Sequence, residues 1–194
     1  MKKLLILIVI TCLNLPLYAD FKLLFGLNLS NFRGTEETQW NFKMGFQGGI
    51  GIEFDLSNKM LVEFNVMYMK KGSVDRSTSP YQKYALNVIS VPVLIRVKLF
   101  NGSSPYAVTG IELANKLSYS LKEQESEPVD LGGTIKGLDY GIIFGGGYEI
   151  ELEEELFLFF ELRYHLGMRN LLIDPLDGLS RKTSAVVLFI GIRS

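Results

Sequence analysis

The sequence predicts an all-β fold: an eight-stranded antiparallel up-and-down transmembrane β-barrel with short periplasmic turns and long external loops. About eight segments of ~10–15 residues alternate apolar positions with polar or glycine positions, which is typical of membrane strands. Hydrophobic residues make up 47% of the chain, yet after residue 20 no apolar run approaches the ~20 residues of a membrane helix. The connections are long and short in turn, at approximately 32–41, 55–59, 71–83, 100–104, 120–135, 151–155 and 170–182.

The rhythm of the connections also predicts an orientation. Outer-membrane barrels have an even number of strands, short turns on the periplasmic side and long loops outside. Both chain termini are therefore expected in the periplasm, and the four long connections outside the cell.

Residues 1–19 have the pattern of a secretory signal peptide. Lys2 and Lys3 precede an apolar run that is too short to span a bilayer. Cleavage is predicted after Ala19, which leaves residues 20–194 as the barrel domain. The alternative is an uncleaved N-terminal anchor.

Cys12 is the only cysteine and lies in the predicted signal peptide. Its removal would leave no disulfide, no cysteine-ligated zinc and no thiol nucleophile in the mature chain. Lipidation at Cys12 is an alternative to simple cleavage. The formal net charge of −1 becomes more negative when the two N-terminal lysines leave, which argues against a nucleic-acid partner.

The first three segments each have one apolar face, because side chains on a strand alternate between faces. The apolar positions are Leu23, Phe25, Leu27 and Leu29, then Phe42, Met44, Phe46, Ile50, Ile52 and Phe54, then Val62, Phe64, Val66 and Tyr68. The opposite positions are Lys22, Gly26, Asn28 and Ser30, then Lys43, Gly45, Gln47, Gly49, Gly51 and Glu53, then Glu63 and Asn65.

The next two segments are less regular. In segment 84–99, alternation places Arg96 and Lys98 opposite a run of valine and isoleucine, but it places Asn87 on the apolar face. A β-bulge near Asn87 is therefore expected, and it would also accommodate Pro92, which lacks a ladder donor. Segment 105–119 repeats the alternation, with polar residues on both faces: Thr109 and Asn115 on the apolar one, Glu112 and Lys116 on the other.

The last three segments return to clear alternation. Their apolar positions are Tyr140, Ile142, Phe144, Tyr148 and Ile150, then Leu158, Phe160, Leu162, Tyr164 and Leu166, then Val186, Leu188, Ile190 and Ile192. The opposite positions are Asp139, Gly141, Ile143, Gly145, Gly147 and Glu149, then Glu161, Arg163, His165, Gly167 and Arg169, then Phe189, Gly191 and Arg193.

The glycines decide which face points inward. They share the face of the charged residues, where on a solvated exterior they would only weaken the strands. Inside a barrel of ~8 strands, whose interior side chains just fill, they make room for long charged side chains. The charged face is therefore predicted inside and the apolar face in lipid. Aromatic residues near the segment ends predict interfacial girdles, formed by Phe54, Tyr68, Tyr119, Tyr140, Tyr148 and Tyr164.

Buried charges need partners, so the inward charges predict a structural ion-pair network in the lumen. Its predicted members are Glu53, Glu63, Arg96, Lys98, Glu112, Asp139, Glu149, Glu161, Arg163 and His165. Two alternatives stay open: a narrow channel for porin-like transport, and a secreted soluble barrel that binds an apolar ligand in its interior.

The sequence predicts no catalytic, cofactor or metal site. His165 is the only histidine, and a dyad with Glu161 or Asp174 is conceivable because histidine is the usual general base. However, no serine-centred motif accompanies it. The glycine-rich stretches at 48–53 and 145–147 lack the remaining residues of nucleotide-binding motifs.

Seven stretches resemble the bacterial outer-membrane β-barrel domain known as porin-like or PorT-like. They are GLNLSNF (26–32), GFQGGIGIEFDL (45–56), MLVEFNVMYMKKG (60–72), ISVPVLIRVKL (89–99), SPYAVTGIELA (104–114), DYGIIFGGGYEI (139–150) and ELRYHLGMRNL (161–171). The resemblance implies an eight-stranded barrel without enzyme activity in the outer membrane. The expected partners are outer-membrane lipid, the barrel assembly machinery and an unknown protein at the external loops. The family's barrels usually end on an aromatic residue, whereas this chain ends on Ser194.

Overall fold

Long β-strands make up almost all of the computed structural model, which describes residues 19–35, 40–77, 79–123, 126–173 and 178–194. The strands are Ala19–Gly34 (β1), Trp40–Ser57 (β2), Met60–Asp75 (β3), Gln82–Lys98 (β4), Ser104–Glu123 (β5), Val129–Asp130 (β6), Leu138–Glu153 (β7), Leu156–Gly167 (β8) and Arg181–Arg193 (β9). A short 3-10 helix, Gly132–Thr134, precedes β7. Residues 1–18 of the predicted signal peptide lie outside the described residues.

The strands close into a barrel. Eight of the described strands form an antiparallel ring in the order β4-β3-β2-β1-β9-β8-β7-β5, and pairing between β4 and β5 completes it. The two-residue strand β6 is an addition to the ring, which pairs only with the end of β5. This confirms the predicted eight-stranded up-and-down barrel.

Both ends of the barrel are defined by the chain. The start of β1 and the end of β9 lie together, because Phe21 and Ser194 exchange two backbone hydrogen bonds. We call this the terminal end and the opposite one the loop end. Three connections lie at the terminal end and four at the loop end.

The two faces of the wall are as predicted. Leu27, Met44 and Phe144 are among the apolar side chains that the outer face leaves exposed, whereas Gln47 and Glu63 on the other face are fully buried. The outer face of the wall therefore carries an apolar band, and the side chains of the other face are enclosed in the lumen.

Two of the predicted long loops are shorter than the alternation suggested. The first lies at 35–39 instead of 32–41, and the second at 76–81 instead of 71–83. The reason is that the strands continue past the apolar band. Their last residues at the loop end are still paired in the ladder, for example Trp40 with Asp75.

A β-bulge lies where the sequence predicted one, but on the neighbouring strand. Asn87 pairs with Ser118 while Val88 pairs with Lys116, so the extra residue is Leu117 of β5. Asn87 stays on the outer face, where its amide donates to the Ser118 hydroxyl at 2.8 Å.

Because of the bulge, one side chain points to the opposite face from the one predicted. Tyr119 follows the extra residue, so its side chain turns into the lumen and is completely buried. The prediction that Tyr119 belongs to an outward aromatic girdle was therefore wrong.

Among the described residues, no helix has the length and apolarity needed to cross a membrane.

Candidate functional site

The half of the lumen nearer the terminal end is filled with charged side chains that meet at Glu63. Arg96 Nε donates to Glu63 Oε1 at 2.6 Å. Lys22 Nζ and Arg163 Nη2 lie 3.0 Å and 3.2 Å from Glu63 Oε2. All these side chains are inaccessible to solvent, so one carboxylate on β3 joins cations from β1, β4 and β8.

Further carboxylates surround the same cations. Glu53 Oε1 lies 3.0 Å from Lys22 Nζ and 3.1 Å from Arg96 Nη2. Glu149 accepts from Arg96 Nη1 at 3.3 Å and lies 2.6 Å from Lys98 Nζ. Lys22, Arg96 and Arg163 therefore each face more than one carboxylate, whereas Lys98 faces Glu149.

The network ends at Glu161 on one side and at the terminal end on the other. Glu161 accepts from Arg163 Nε and from the Tyr106 hydroxyl, the latter at 2.8 Å. We call the whole group the charge layer; it comprises Lys22, Glu53, Glu63, Arg96, Lys98, Glu149, Glu161, Arg163 and Arg193.

Aromatic rings support the cations of the charge layer. The Arg96 guanidinium lies 4.2 Å from the centre of the Tyr106 ring, and that of Arg163 lies 4.9 Å from the Phe189 ring. A Cβ atom at Gly147 would lie 2.5 Å from the Tyr106 hydroxyl oxygen. The glycines thus make room for the charged side chains indirectly. An aromatic ring occupies the space that the missing Cβ atom leaves, and a cation stacks on that ring.

A second polar group lies nearer the middle of the barrel, around Glu112. Its carboxylate accepts from Ser90 Oγ at 2.5 Å, and its Oε2 lies 3.1 Å from His165 Nδ1 and 3.4 Å from Lys71 Nζ. We call these residues the Glu112 group. It is separate from the charge layer and also fully enclosed.

The structure divides the predicted network residues between these groups. Glu112 and His165 belong to the Glu112 group, and Asp139 lies apart, where it accepts from the Thr183 hydroxyl at 2.8 Å. The remaining predicted residues all belong to the charge layer. Each of the predicted side chains points into the barrel.

Sequence reasoning left three buried cations out of the network, although their signals were present. Lys22 and Arg193 lie on the polar faces of their segments. Lys71 is the first residue of the connection predicted at 71–83, so it was not counted as part of its segment. Counting every charged residue on the polar face of each strand, up to the last residue of the strand, would have found all three.

The loop end of the lumen is closed by an aromatic cluster that the sequence analysis missed. Phe32, Trp40, Tyr84 and Tyr119 contact one another, with ring centres 5.1 Å to 6.4 Å apart. The Arg181 guanidinium lies 4.8 Å from the Trp40 ring and donates to the Tyr119 hydroxyl at 2.7 Å. We call these five residues the aromatic cluster.

Comparison with known families assigns the chain. A family model described as an outer membrane protein beta-barrel domain matches residues 13–172. The chain belongs to the outer membrane β-barrel domain family. The predicted resemblance is therefore confirmed, and the protein is an integral barrel of the bacterial outer membrane.

Solved structures of other outer-membrane barrels share the fold. The outer membrane protein OprG from Pseudomonas aeruginosa has a TM-score of 0.58 at 12% identity, over 90% of this chain and 94% of that one. Neisserial surface protein A has a TM-score of 0.53 at 13% identity, over 89% of this chain and 95% of that one. No curated protein matches the sequence.

The structure shows which groups contact His165 among the described residues. The partner of His165 is Glu112, not Glu161, and Asp174 lies outside the described residues. Ser90 contacts the same carboxylate as His165 instead of the imidazole, and His165 Nε2 has no hydrogen-bond partner among the described residues. A serine nucleophile would need that contact with the imidazole.

No cluster of three or more histidine, cysteine, aspartate or glutamate residues in the described ranges is placed to hold a metal ion. The carboxylates of the charge layer are instead surrounded by arginine and lysine. Their arrangement suits ion pairing within the protein.

Proposed function

We propose that this outer-membrane barrel is a closed structural scaffold whose interactions are made by the connections at its loop end. The single observation that carries the proposal is the complete burial of Arg96 and Arg163 in the charge layer. A barrel of ~8 strands has an interior that side chains just fill. The aromatic cluster adds a second closure, so the lumen is blocked at two levels.

The proposed orientation places the terminal end in the periplasm and the loop end outside the cell. Short turns and both termini are periplasmic in outer-membrane barrels. The connections at 124–137 and 168–180 then face the medium. They are the segments that we propose contact a protein partner.

Two alternatives have less support. A soluble barrel that binds an apolar ligand needs an apolar interior, whereas here the ion pairs are inside and side chains such as Leu27 and Leu188 are exposed outside. A narrow channel needs a continuous polar path, which the aromatic cluster interrupts. We propose that the protein is not an enzyme, since His165 lacks the contacts of a general base.

Planar-bilayer recording tests the closed lumen. The purified wild-type barrel is expected to insert without discrete conductance steps. A variant that removes cations from the charge layer and the aromatic cluster together, Arg96→Ala with Arg181→Ala, supplies the comparison. Reproducible steps from the wild type would overturn the proposed scaffold in favour of a channel.

Site-specific photo-crosslinking in living cells tests the external contacts. A crosslinker at Val129, which is exposed at the loop end, is expected to form protein adducts. The matched control is the exposed Leu152 near the terminal end. Adducts only at Leu152 would place the interaction surface at the terminal end and would contradict the proposal.

We propose further that residues 1–19 are a signal peptide and that the barrel assembly machinery inserts the mature chain. The pattern of charged and apolar residues at the N-terminus supports the first proposal. Mass spectrometry of the purified protein is expected to show a mature chain that begins at Asp20. A mass that includes residues 1–19 would contradict cleavage.

A further inference from the structure

Lysines form a cluster on the outer face of the wall, directly above the apolar band at the loop end. Lys83 of β4 and Lys122 of β5 are paired residues in adjacent strands, and both are exposed. Like charges directly opposite each other in a sheet destabilise it. An anion placed between two opposed lysines on an outward face would relieve this repulsion.

Lys70 of β3 extends the cluster toward the bilayer. It follows Tyr68 on the outward face of its strand, and its ammonium lies 5.9 Å from the centre of the Phe46 ring. Lys43 interacts electrostatically with Lys70 and Lys83 and donates a hydrogen bond to the Tyr84 carbonyl at 2.8 Å. We call Lys43, Lys70, Lys83 and Lys122 the lysine cluster.

The wall between the lysines carries small side chains. Gly72 pairs with Ala85, and Ala85 pairs with Ser120, one row below the pair of Lys83 and Lys122. Lys70 lies about 13 Å from the upper row along its strand, at ~3.3 Å per residue. The ammonium groups thus border a row of small side chains above and below. The aliphatic stem of Lys43 lies over this row, since its Cδ is 3.0 Å from the position that a Cβ atom at Gly72 would take.

Among the described residues, no ion pair neutralises the ammonium groups of Lys70, Lys83 and Lys122. In the described part of the chain, no carboxylate oxygen lies within 4.0 Å of the ammonium groups of Lys70, Lys83 or Lys122. Asp130, which pairs with Ser120, accepts from the Gly132 backbone N–H at 2.8 Å, and Glu123, which follows Lys122, accepts from the Gln82 side-chain amide at 3.0 Å. The positive charge is thus available to a ligand.

We propose that the lysine cluster binds the phosphate groups of an anionic outer-leaflet glycolipid. The position directly above the apolar band is the headgroup level, and lysine is a good phosphate binder as a point charge. The acyl chains of the same lipid would lie on the apolar band below, beside Val66 and Tyr68. The inference rests on the proposed orientation, which puts the loop end in the outer leaflet.

Native mass spectrometry of the purified barrel with lipid A tests the proposal. The wild type is expected to retain lipid A. Lys83→Gln with Lys122→Gln is expected to weaken binding about thirtyfold, at the known contribution of one lysine near a charged surface. The matched control, Lys59→Gln with Lys182→Gln, removes the same number of positive charges. Lys59 lies at the terminal end, and Lys182 lies at the loop end on the opposite side of the barrel from the lysine cluster. The control variant is expected to bind like the wild type.

Three further ligands test which part of lipid A provides the affinity. Lipid A without phosphate groups, phosphatidylcholine and inorganic phosphate are each expected to bind weakly to the wild type. Equal loss in the control variant, or equal retention of dephosphorylated lipid A, would overturn the proposal. The proposed orientation has a separate test: labelling of intact cells with a membrane-impermeant maleimide at an Arg76→Cys variant reports whether the loop end is external, because Cys12 in the proposed signal peptide is the only native cysteine.

Discussion

Glu63 shows at the residue scale how a charged interior is kept in a membrane barrel. Its carboxylate binds cations from three strands, and none of these side chains contacts solvent. Buried ion pairs add little net stability compared with an apolar core, but removing one partner leaves an uncompensated charge. Removal of any single charged side chain from the charge layer is therefore expected to destabilise the barrel, because it leaves a buried charge without its partner.

Arg96→Met is expected to destabilise the barrel by about 3–5 kcal/mol, because it leaves the carboxylates of Glu53, Glu63 and Glu149 without their shared cation. Urea unfolding in detergent micelles, followed by the change in gel mobility on heating, measures the loss. The control is Arg76→Met at an exposed position, where less than about 0.5 kcal/mol is expected. A small effect of Arg96→Met would mean that the ion pairs are readily replaced.

The strand is the scale at which the sequence is most informative and also where it misleads. Strict alternation identified the inner and outer faces, because a one-residue shift would exchange them. The bulge at Leu117 is such a shift, and nothing in the local sequence marks on which strand it lies. Tyr119 was therefore assigned to the wrong face, and with it the aromatic cluster escaped prediction.

Lys71 and Phe32 show a second limit at this scale. Both continue the inward parity of their strands, but beyond the apolar band, where alternation with lipid-facing residues no longer marks a strand. The ladder hydrogen bonds that extend the strands there depend on neighbours distant in sequence. The predicted loops were too long for the same reason.

Deletion of Leu117 tests the role of the bulge. It would restore a regular alternation in which Ser118 still pairs with Asn87 and Tyr119 still faces the lumen opposite Leu86, so the near-UV circular dichroism of the aromatic cluster is expected to be kept. Leu117→Ala keeps the extra residue and, since the side chain is exposed, should leave the signal unchanged. Loss of the near-UV signal in the deletion variant would show that the cluster needs the bulge itself and not only the orientation of Tyr119.

Leu188→Lys tests the assignment of the outer face. Leu188 is 59% exposed in the middle of β9, and a lysine at the bilayer midplane costs about 2–4 kcal/mol. Leu56→Lys is the matched control, because Leu56 is 61% exposed but lies at the end of β2, where a cost of about 0–1 kcal/mol is expected. Unfolding in lipid vesicles measures both, and equal costs would contradict the placement of the membrane.

For the whole molecule, closure by β4 and β5 makes the wall continuous, so the two ends of the lumen belong to one cooperative unit. The family and the barrel fold follow from the pattern of the sequence. Many of the side chains that fill the lumen follow from it as well, but their ion-pair partners do not, because side chains that meet there come from strands on opposite walls.

Trp40 is a reporter for this cooperativity, since it is the only tryptophan and lies in the aromatic cluster. Its fluorescence is expected to shift to longer wavelength at the same urea concentration at which the gel mobility changes, as a two-state transition requires. Arg181→Gln removes the cation from the cluster and provides a variant in which the two transitions can separate. An earlier fluorescence transition in the wild type would show that the loop end opens independently.

The span of the ion pairs has a consequence for biogenesis. Glu63 and Arg163 are 100 residues apart in the chain, and Lys22 of the first strand needs partners on the second, third and eighth. A nascent sheet that lacks its last strands therefore carries orphan charges on what will become the lumen, and these charges would have to cross hydrocarbon alone. Because hydrocarbon excludes such charges, an incomplete sheet must keep that surface in water, and entry into the bilayer must wait for the final strands to arrive.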